Sequence, residues 1–248
     1  MNFPPFLRRF NKIFQVSRSI RLLRALVSNR VLAGTEHRQI FKSTMSTVVD
    51  IGANRGQFAL AAKKWAPKAK VTGFEPLADA AKCFLKTFRG DSGVTLHQVA
   101  IGPHSGETTI HVSAADDSSS LHPISPLQEM LFPGTHEIRT EKVKIGPLSN
   151  YITPDDIVRP AMLKLDVQGY ELEALRGCED LLCLFSHVYV ECSFVELYSG
   201  QALADDIIAW LKERGWCLSG IYNMVYDRKG RSIQADFLFE NSLLKDAA

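Results

Sequence analysis

The sequence has no long apolar run. No segment of its 248 residues reaches the roughly 20 consecutive apolar positions that a membrane-spanning helix needs. Near the amino terminus, basic residues from Arg8 to Arg21 interrupt the apolar ones, so the continuous apolar region of a secretion signal is missing as well. We therefore expect a cytoplasmic protein without a transmembrane helix.

Cysteines are few, and their spacing does not suit metal or disulfide chemistry. The five stand at positions 83, 178, 183, 192 and 217, an odd number without any Cys-x-x-Cys pair. This spacing predicts neither a disulfide framework nor a zinc site. Reduced thiols in an apolar core fit it better, and a reducing cytoplasm is where such thiols persist.

The chain also lacks a strong overall charge, although its first segment is basic. The net charge is +2, yet residues 1–42 hold nine lysines and arginines against the single acid Glu36. Residues 43–248 hold 20 basic against 26 acidic side chains. This division predicts a basic arm before a mildly acidic domain. It argues against nucleic acid as a partner, because nucleic acid calls for a basic face on the domain.

The basic arm has the periodicity of an amphipathic helix. Apolar residues recur at spacings of three and four, and most of the basic residues lie off this stripe. Its members are Phe3, Phe6, Leu7, Phe10, Ile13 and Phe14. Two interpretations stay open. Residues 1–30 lie on the inner face of a membrane, or the helix packs against its own domain or a partner subunit of a homo-oligomer.

From residue 47 onward, short apolar segments alternate with amphipathic ones. Such alternation is typical of a Rossmann-like α/β fold with a doubly wound, mostly parallel sheet and an antiparallel closing strand. Strands are predicted at 47–51, 71–75, 95–101, 162–167, 187–192, 217–222 and 235–240. Helices are predicted from the glycine turn to about residue 65, at 77–88, from 170, and at 202–214.

An insertion at about 105–155 breaks this alternation. Two predicted strands, 108–112 and 141–145, surround a polar loop at 114–126 that contains three consecutive serines. A loop of this length inside a compact domain is usually functional. We expect the insertion to decide substrate specificity.

The most informative segment is the turn after the first strand, Asp50-Ile51-Gly52-Ala53-Asn54-Arg55-Gly56. A buried strand delivers Asp50 to the carboxyl edge of the sheet, where open α/β sheets bind their ligands. Gly52 and Gly56 permit a sharp turn and a close approach of backbone to ligand, because they carry no Cβ.

Two other glycine-rich sites are excluded. A P-loop would end in Gly-Lys-Ser/Thr, and the dinucleotide fingerprint would have glycines where Asn54 and Gln57 stand. An acid within the turn suits a cation such as S-adenosylmethionine, which carries an ammonium and a sulfonium group and no phosphate. Glu75, which ends the second strand before Pro76, can accept hydrogen bonds from both hydroxyls of a ribose.

With these motifs the sequence resembles the FkbM family of methyltransferases. The matching segments are 49–58, 74–76, 99–102, 163–171 and 190–191, within a similarity that runs from about residue 47 to 240. The family-specific block is Lys-x-Asp-x-x-Gly-x-Glu, which begins here at Lys164. The resemblance implies S-adenosylmethionine as methyl donor and methylation of oxygen, typically of hydroxyls on sugars or secondary metabolites.

The resemblance also implies roles for single residues. The residues implied to bind the cofactor are Asp50, Gly52, Asn54, Gly56, Phe58, Glu75, Pro76, Ala100 and Asp166. Among them Glu75 would take the ribose, and Ala100 would face the adenine. Two positions depart from the family pattern: Gln168 stands where Glu is common, and Asn150 where Asp is expected. The resemblance therefore implies no role that needs a carboxylate at either position.

Transfer of a methyl group to a hydroxyl requires alignment of the acceptor oxygen and removal of one proton. Asp166, at the end of the fourth strand, is the first candidate for either task; a helix cap is its alternative role. Glu191 ends the next strand and is the second candidate. Together they would suit Mg²⁺, which is disfavoured because no third hard ligand is identifiable. His122, in the polar loop, is a third candidate as general base.

The predicted acceptor is a small molecule or a glycan, including a glycolipid. The fourth strand does not continue as Asn/Asp-Pro-Pro-Tyr/Phe, the pattern of amino-methyltransferases that act on nucleobases. The alternative function is a non-catalytic, S-adenosylmethionine-binding scaffold that the basic arm attaches to a membrane or partner. The presence of Asp50, Glu75 and Asp166 together favours the enzyme.

Overall fold

A computed structural model describes residues 19–42, 44–115 and 117–242 of the chain. Within these ranges every helix is too short or too polar to traverse a lipid bilayer. The predicted amphipathic stripe at 3–14 lies outside the described residues, so its two interpretations stay open.

The described chain forms ten strands and seven α-helices. The strands are β1 Thr47–Ile51, β2 Lys70–Phe74, β3 Val94–His97, β4 Ala100–Ile101, β5 Gly106–Ser113, β6 Glu137–Gly146, β7 Ala161–Leu165, β8 His187–Ser193, β9 Trp216–Tyr226 and β10 Ser232–Asn241. The helices are α1 Ile20–Asn29, α2 Gln57–Trp65, α3 Ala78–Thr87, α4 Pro126–Leu131, α5 Glu171–Gly177, α6 Glu179–Leu182 and α7 Ala204–Glu213.

Seven of the strands form one sheet in the order β3-β2-β1-β7-β8-β10-β9. The first five run parallel, whereas β10 pairs antiparallel with both β8 and β9. The order reverses between β1 and β7, so the carboxyl ends of these strands border the crevice where open α/β sheets bind ligands. The doubly wound, mostly parallel sheet predicted from the sequence is confirmed.

Helices cover both faces of this sheet. Apolar side chains of α1, α2 and α3 pack on one face, and those of α5, α6 and α7 on the other. Strand β1 is buried throughout, because successive side chains of a strand point to opposite faces and both faces are covered. Val48 accordingly packs in the apolar cluster that contains α1, α2 and α3. Val49 and Ile51 pack in the cluster that contains α5, α6 and α7.

The insertion forms a small second sheet in the order β4-β6-β5. Its antiparallel pair, β5 and β6, confirms the two strands predicted there, although both are longer than expected. The prediction of a single strand at 95–101 is wrong, because that segment divides into β3 and β4, which lie in different sheets. The carbonyl of His97 accepts hydrogen bonds from the backbone N–H of Glu75 (3.1 Å) and of Val99 (3.0 Å), so the chain bends there.

Two glycines meet where the segment after β4 passes α5. A Cβ at Gly177 would lie 2.6 Å from the carbonyl carbon of Gly102, which is too close for two non-bonded carbons. We expect Gly177→Ala to lower the free energy of unfolding by about 1–3 kcal/mol through overpacking, although alanine ordinarily favours a helix.

Urea denaturation of the two proteins would check this expectation. Gly93→Ala is the matched control, because a Cβ there would meet only the ends of the Lys63 and Asp91 side chains, at 3.1 and 3.2 Å. A Gly177→Ala protein as stable as wild type would contradict the close approach of these two segments.

Candidate active site

The turn after β1 has the left-handed backbone that its glycines predict. The φ angles are +75° at Gly52, +45° at Asn54 and +95° at Gly56. A Cβ at Gly52 would lie 1.9 Å from the carbonyl oxygen of Asp166, so no larger residue fits. The backbone N–H groups of Gly52 and Ala53 both donate to the carbonyl of Phe74, at 3.0 and 2.9 Å. The first turn is therefore fixed between two strand ends.

Gly56 makes room for two aromatic side chains. It precedes α2, and a Cβ there would lie 2.5 Å from the Phe88 ring and 3.1 Å from the Phe84 ring. The glycine lets α2 approach these two aromatic side chains. It does not line the cavity described below.

A buried ion pair lies under the turn. Lys164 Nζ is 2.9 Å from Asp50 Oδ1, and the side chains are 6% and 0% exposed. The same ammonium donates to the carbonyl of Gly52 (3.1 Å) and lies 3.8 Å from Asp166 Oδ2. Burial by itself would lower the pKa of Lys164, but the neighbouring carboxylates of Asp50 and Asp166 outweigh it and raise that pKa, so the lysine stays charged.

Glu75 is held at the end of β2 by two backbone donors. Its carboxylate accepts from the N–H of Leu77 (2.8 Å) and of Asn54 (3.0 Å), and the residue is only 6% exposed. Burial raises the pKa of Glu75 to about 7, although both backbone hydrogen bonds act in the opposite direction. The glutamate thus links the first and second βα turns.

Gln168 bridges two carboxylates beside the crevice. Its backbone is left-handed (φ +56°), and its Nε2 donates to Asp166 Oδ1 (2.7 Å) and to Glu191 Oε2 (3.0 Å). Its side-chain oxygen, Oε1, accepts from the Tyr198 hydroxyl at 2.7 Å. The amide supplies an N–H donor to both carboxyl groups, which an ionised glutamate at this position could not do.

These elements surround a cavity of about 370 Å³. Of the nine residues predicted to bind the cofactor, those that line it are Gly52, Asn54, Phe58, Glu75, Pro76, Ala100 and Asp166. Asp50 lies beneath it, and Gly56 lies beside α3. Lining residues that were not predicted to bind the cofactor include Glu36 and His37 before β1, Lys164 from β7, and Ser119 and Ser120 from the insertion.

The arrangement matches a known family along most of the chain. Residues 50–216 match the family described as Methyltransferase FkbM domain. The chain belongs to the FkbM methyltransferase family. Membership confirms the family, the fold class and the S-adenosylmethionine cofactor that the motifs predicted.

Individual relatives of this FkbM-family protein are distant. Methyltransferase 1 of Beauveria bassiana (strain ARSEF 2860) is 27% identical over 155 residues, which cover 54% of this chain and 59% of the relative. The 2-O-methyltransferase NoeI of Sinorhizobium fredii (strain NBRC 101917 / NGR234) is 27% identical over 179 residues, covering 66% of this chain and 72% of the relative.

A solved structure shows the same fold. The crystal structure of Methyltransferase FkbM from Methylobacillus flagellatus KT superposes with a TM-score of 0.52 at 15% identity, covering 79% of this chain and 44% of that chain. The FkbM-family chain described here thus spans about three fifths of its Beauveria relative and less than half of the solved protein.

The predicted catalytic residues of this FkbM-family protein occupy three different environments. Asp166 lines the cavity. Glu191 lies behind the cavity and accepts from the same Gln168 amide that donates to Asp166. His122 stands outside the lining, with Nε2 3.9 Å from Glu173 Oε2. Across the described ranges, no three His, Cys, Asp or Glu residues group as a metal site. The catalytic assignments stay predictions.

The pKa of Glu75 predicts how cofactor binding depends on pH. A carboxylate must be ionised to accept from both ribose hydroxyls, and at a pKa of about 7 it is largely protonated at pH 6. We expect the association constant for S-adenosylmethionine to rise about tenfold from pH 6 to pH 8, because proton and ribose compete for the same oxygens.

Isothermal titration calorimetry at pH 6, 7 and 8 measures this dependence. Glu75→Gln is the control, since it should bind more weakly and lose the Glu75-dependent rise, while any titration of the ligand itself persists. A wild-type affinity that parallels the variant at every pH would show that Glu75 does not accept from the ribose as a carboxylate.

Proposed function

We propose that this FkbM-family protein transfers the methyl group of S-adenosylmethionine to a hydroxyl oxygen on a sugar, a glycolipid or a secondary metabolite. The observation that carries the proposal is the polar side of the cavity, where Asp166 and Gln168 meet Ser119 and Ser120 of the insertion. Carboxylates, amides and hydroxyls are the groups that donate to and accept from substrate hydroxyls. The 2-O-methyltransferase relative supports oxygen as the acceptor atom.

The rest of the lining suits the cofactor. Gln57 faces the cavity, and its buried side-chain carbonyl has no hydrogen-bond partner among the described residues, so it can accept from the ammonium of the methionine end. Glu75 can take the ribose hydroxyls. Phe74, Val99 and Ile101 supply an apolar wall for the adenine ring. The bound cofactor supplies an electrophilic methyl carbon.

The insertion closes over the polar side of the cavity. Ser120 forms an isolated bridge with His111, and its hydroxyl donates to the backbone carbonyl of Gln168. The Tyr198 hydroxyl lies 3.2 Å from the carbonyl of Ser118 and 2.7 Å from the side chain of Gln168. The insertion and the turn after β7 are thus tied together, which supports a role for the insertion in choosing the acceptor.

In this proposal Asp166 positions the acceptor. One of its oxygens already receives the Gln168 amide, and the other lies 3.8 Å from Lys164 Nζ, so the carboxyl group is held in place and can accept one further hydrogen bond, from the acceptor hydroxyl. We expect Asp166→Asn to lower kcat by about a hundredfold, because a misplaced acceptor oxygen no longer lines up with the methyl carbon. Asp155→Asn, an exposed change, should leave kcat unaltered.

The experiment is release of S-adenosylhomocysteine from S-adenosylmethionine across a panel of hydroxylated sugars, glycolipids and phenols, with the methylated atom located by mass spectrometry and NMR. Methylation of a hydroxyl, with a rate that falls about a hundredfold in Asp166→Asn, would support the proposal. Tight binding of the cofactor without turnover on any class of acceptor would instead favour a scaffold. Methylation of nitrogen would overturn oxygen as the acceptor atom.

We also propose that the amino-terminal region attaches the protein to an anionic membrane surface. Leu22 and Ala25 of α1 are buried against the domain, whereas Ile20, Leu23 and Val27 are 89%, 44% and 73% exposed on another face of the helix. This exposed stripe lies within the basic arm, because positions 1–42 hold nine basic residues and one acid. Apolar burial and attraction to anionic lipid then act together.

Co-sedimentation of the full chain with vesicles of phosphatidylcholine and phosphatidylserine tests this attachment. The variant Ile20→Ser/Leu23→Ser/Val27→Ser should bind at least about tenfold more weakly, while Met130→Ser, an equally exposed change on α4, should bind like wild type. Unchanged binding of the triple variant would reject the membrane surface. A dimer that the triple variant dissociates would assign the stripe to a second copy of the chain.

A further inference from the structure

His37 lies between the cavity and the antiparallel side of the sheet. It belongs to a short 3₁₀ turn, Thr35–Ile40, and it lines the cavity with its side chain only 18% exposed. Its ring meets the edges of two aromatic rings, Phe58 at 5.2 Å and Tyr189 at 5.6 Å between centroids. These contacts fix the plane of the imidazole.

The hydrogen bonds behind the ring define its tautomer. The Tyr189 hydroxyl donates to Asp236 Oδ2 at 2.8 Å, and Asn223 Nδ2 donates to the same oxygen at 2.7 Å. His37 Nδ1 lies 3.0 Å from the Tyr189 oxygen and 3.6 Å from Asp236 Oδ2. Asn223 Nδ2 also lies 3.4 Å from Nδ1. Because the Tyr189 hydroxyl proton goes to Asp236 and the Tyr189 oxygen is the nearer partner, we assign Nδ1–H as the donor to that oxygen. The lone pair of the neutral ring is then on Nε2.

This network comes largely from outside the matched family segment. His37 precedes residues 50–216, and Asn223 and Asp236 follow them, so only Tyr189 lies within that range. Two flanking parts of the chain therefore supply a histidine backed by a buried carboxylate, which is the arrangement that holds a general base in one orientation.

Resting on the proposed function, we propose that His37 is the base that takes the proton of the acceptor hydroxyl. The proton passes from the acceptor oxygen to Nε2. The oxygen forms the new bond to the methyl carbon with an electron pair of its own, and the pair of the broken sulfur–carbon bond stays on sulfur. One positive charge is lost at the sulfonium and one appears on the imidazolium, which Asp236 stabilises. Solvent then takes up the proton.

Asp166 is less suited to this step than His37. Both of its oxygens already have partners, because Oδ1 receives the Gln168 amide at 2.7 Å and Oδ2 lies 3.8 Å from the Lys164 ammonium. The titratable and charged groups around His37 are Glu36 on its own turn, Tyr189 on β8, Asp236 on β10, Asp50 on β1 and Lys164 on β7.

The kinetic test compares wild type with His37→Gln, His37→Ala and the control His136→Gln, which changes a half-exposed histidine on the insertion. We expect His37→Gln to lower kcat by about a hundredfold or more and to change the dependence of kcat/KM on pH, because the general base is lost. Free imidazole should restore part of the rate of His37→Ala, an effect that a purely structural role would not produce.

A second measurement needs no turnover. Diethylpyrocarbonate modifies neutral imidazoles, and peptide mass spectrometry reports the rate at each histidine of the wild-type chain. Saturating S-adenosylhomocysteine should slow modification of His37 at least about fivefold and leave His136 unaffected, because only His37 lines the cavity.

The outcomes separate the two proposals. A protein that binds S-adenosylmethionine but methylates no hydroxyl overturns the proposed function. An active protein whose kcat survives His37→Gln within about threefold, or whose His37 is modified equally with and without S-adenosylhomocysteine, overturns the assignment of His37 alone. Loss of rate in His37→Gln with imidazole rescue of His37→Ala supports it.

Discussion

Asp50 and Lys164 are register partners on adjacent parallel strands, and their ion pair lies in the interior at the point where strand order reverses. Loss of one partner would leave a buried charge uncompensated, at a cost of about 3–5 kcal/mol. The lysine also holds the Gly52 carbonyl, and Gly52 in turn touches the backbone of Asp166. This buried pair thus connects the glycine turn after β1 to the turn after β7, which carries the proposed acceptor site.

Acidic groups gather on the far side of this pair. Burial raises the pKa of Glu191 well above its usual range, and the nearby carboxylates of Asp166 and Asp236 raise it further. The amides of Gln168 and Gln234 each donate to Glu191, which limits the repulsion without adding a positive charge. These hydrogen bonds hold Glu191 and Asp166 in fixed positions beside the cavity.

Local sequence patterns were sufficient to predict most strands of the main sheet and the glycine turn after β1. Apolar segments predicted the strands because both faces of the parallel sheet are covered, and the glycine spacing after β1 predicted its left-handed backbone. The prediction of a single strand at 95–101 was wrong, because β3 ends at His97 and the second sheet begins at Ala100, after two intervening residues. Gly56, predicted to let the backbone approach the ligand, also makes room for Phe88, which its spacing in the sequence did not indicate.

The fold class, the family and the left-handed turn after β1 could be predicted from the sequence alone, because these depend on periodicity and on residues close together in the chain. Tertiary structure alone decided that Gln168 bridges Asp166 and Glu191, and that His37 meets Asp236 across nearly two hundred positions. Contacts between such distant segments depend on how strands order themselves in the sheet and how the flanking turns pack over its edge, and no spacing within a single sequence encodes that arrangement.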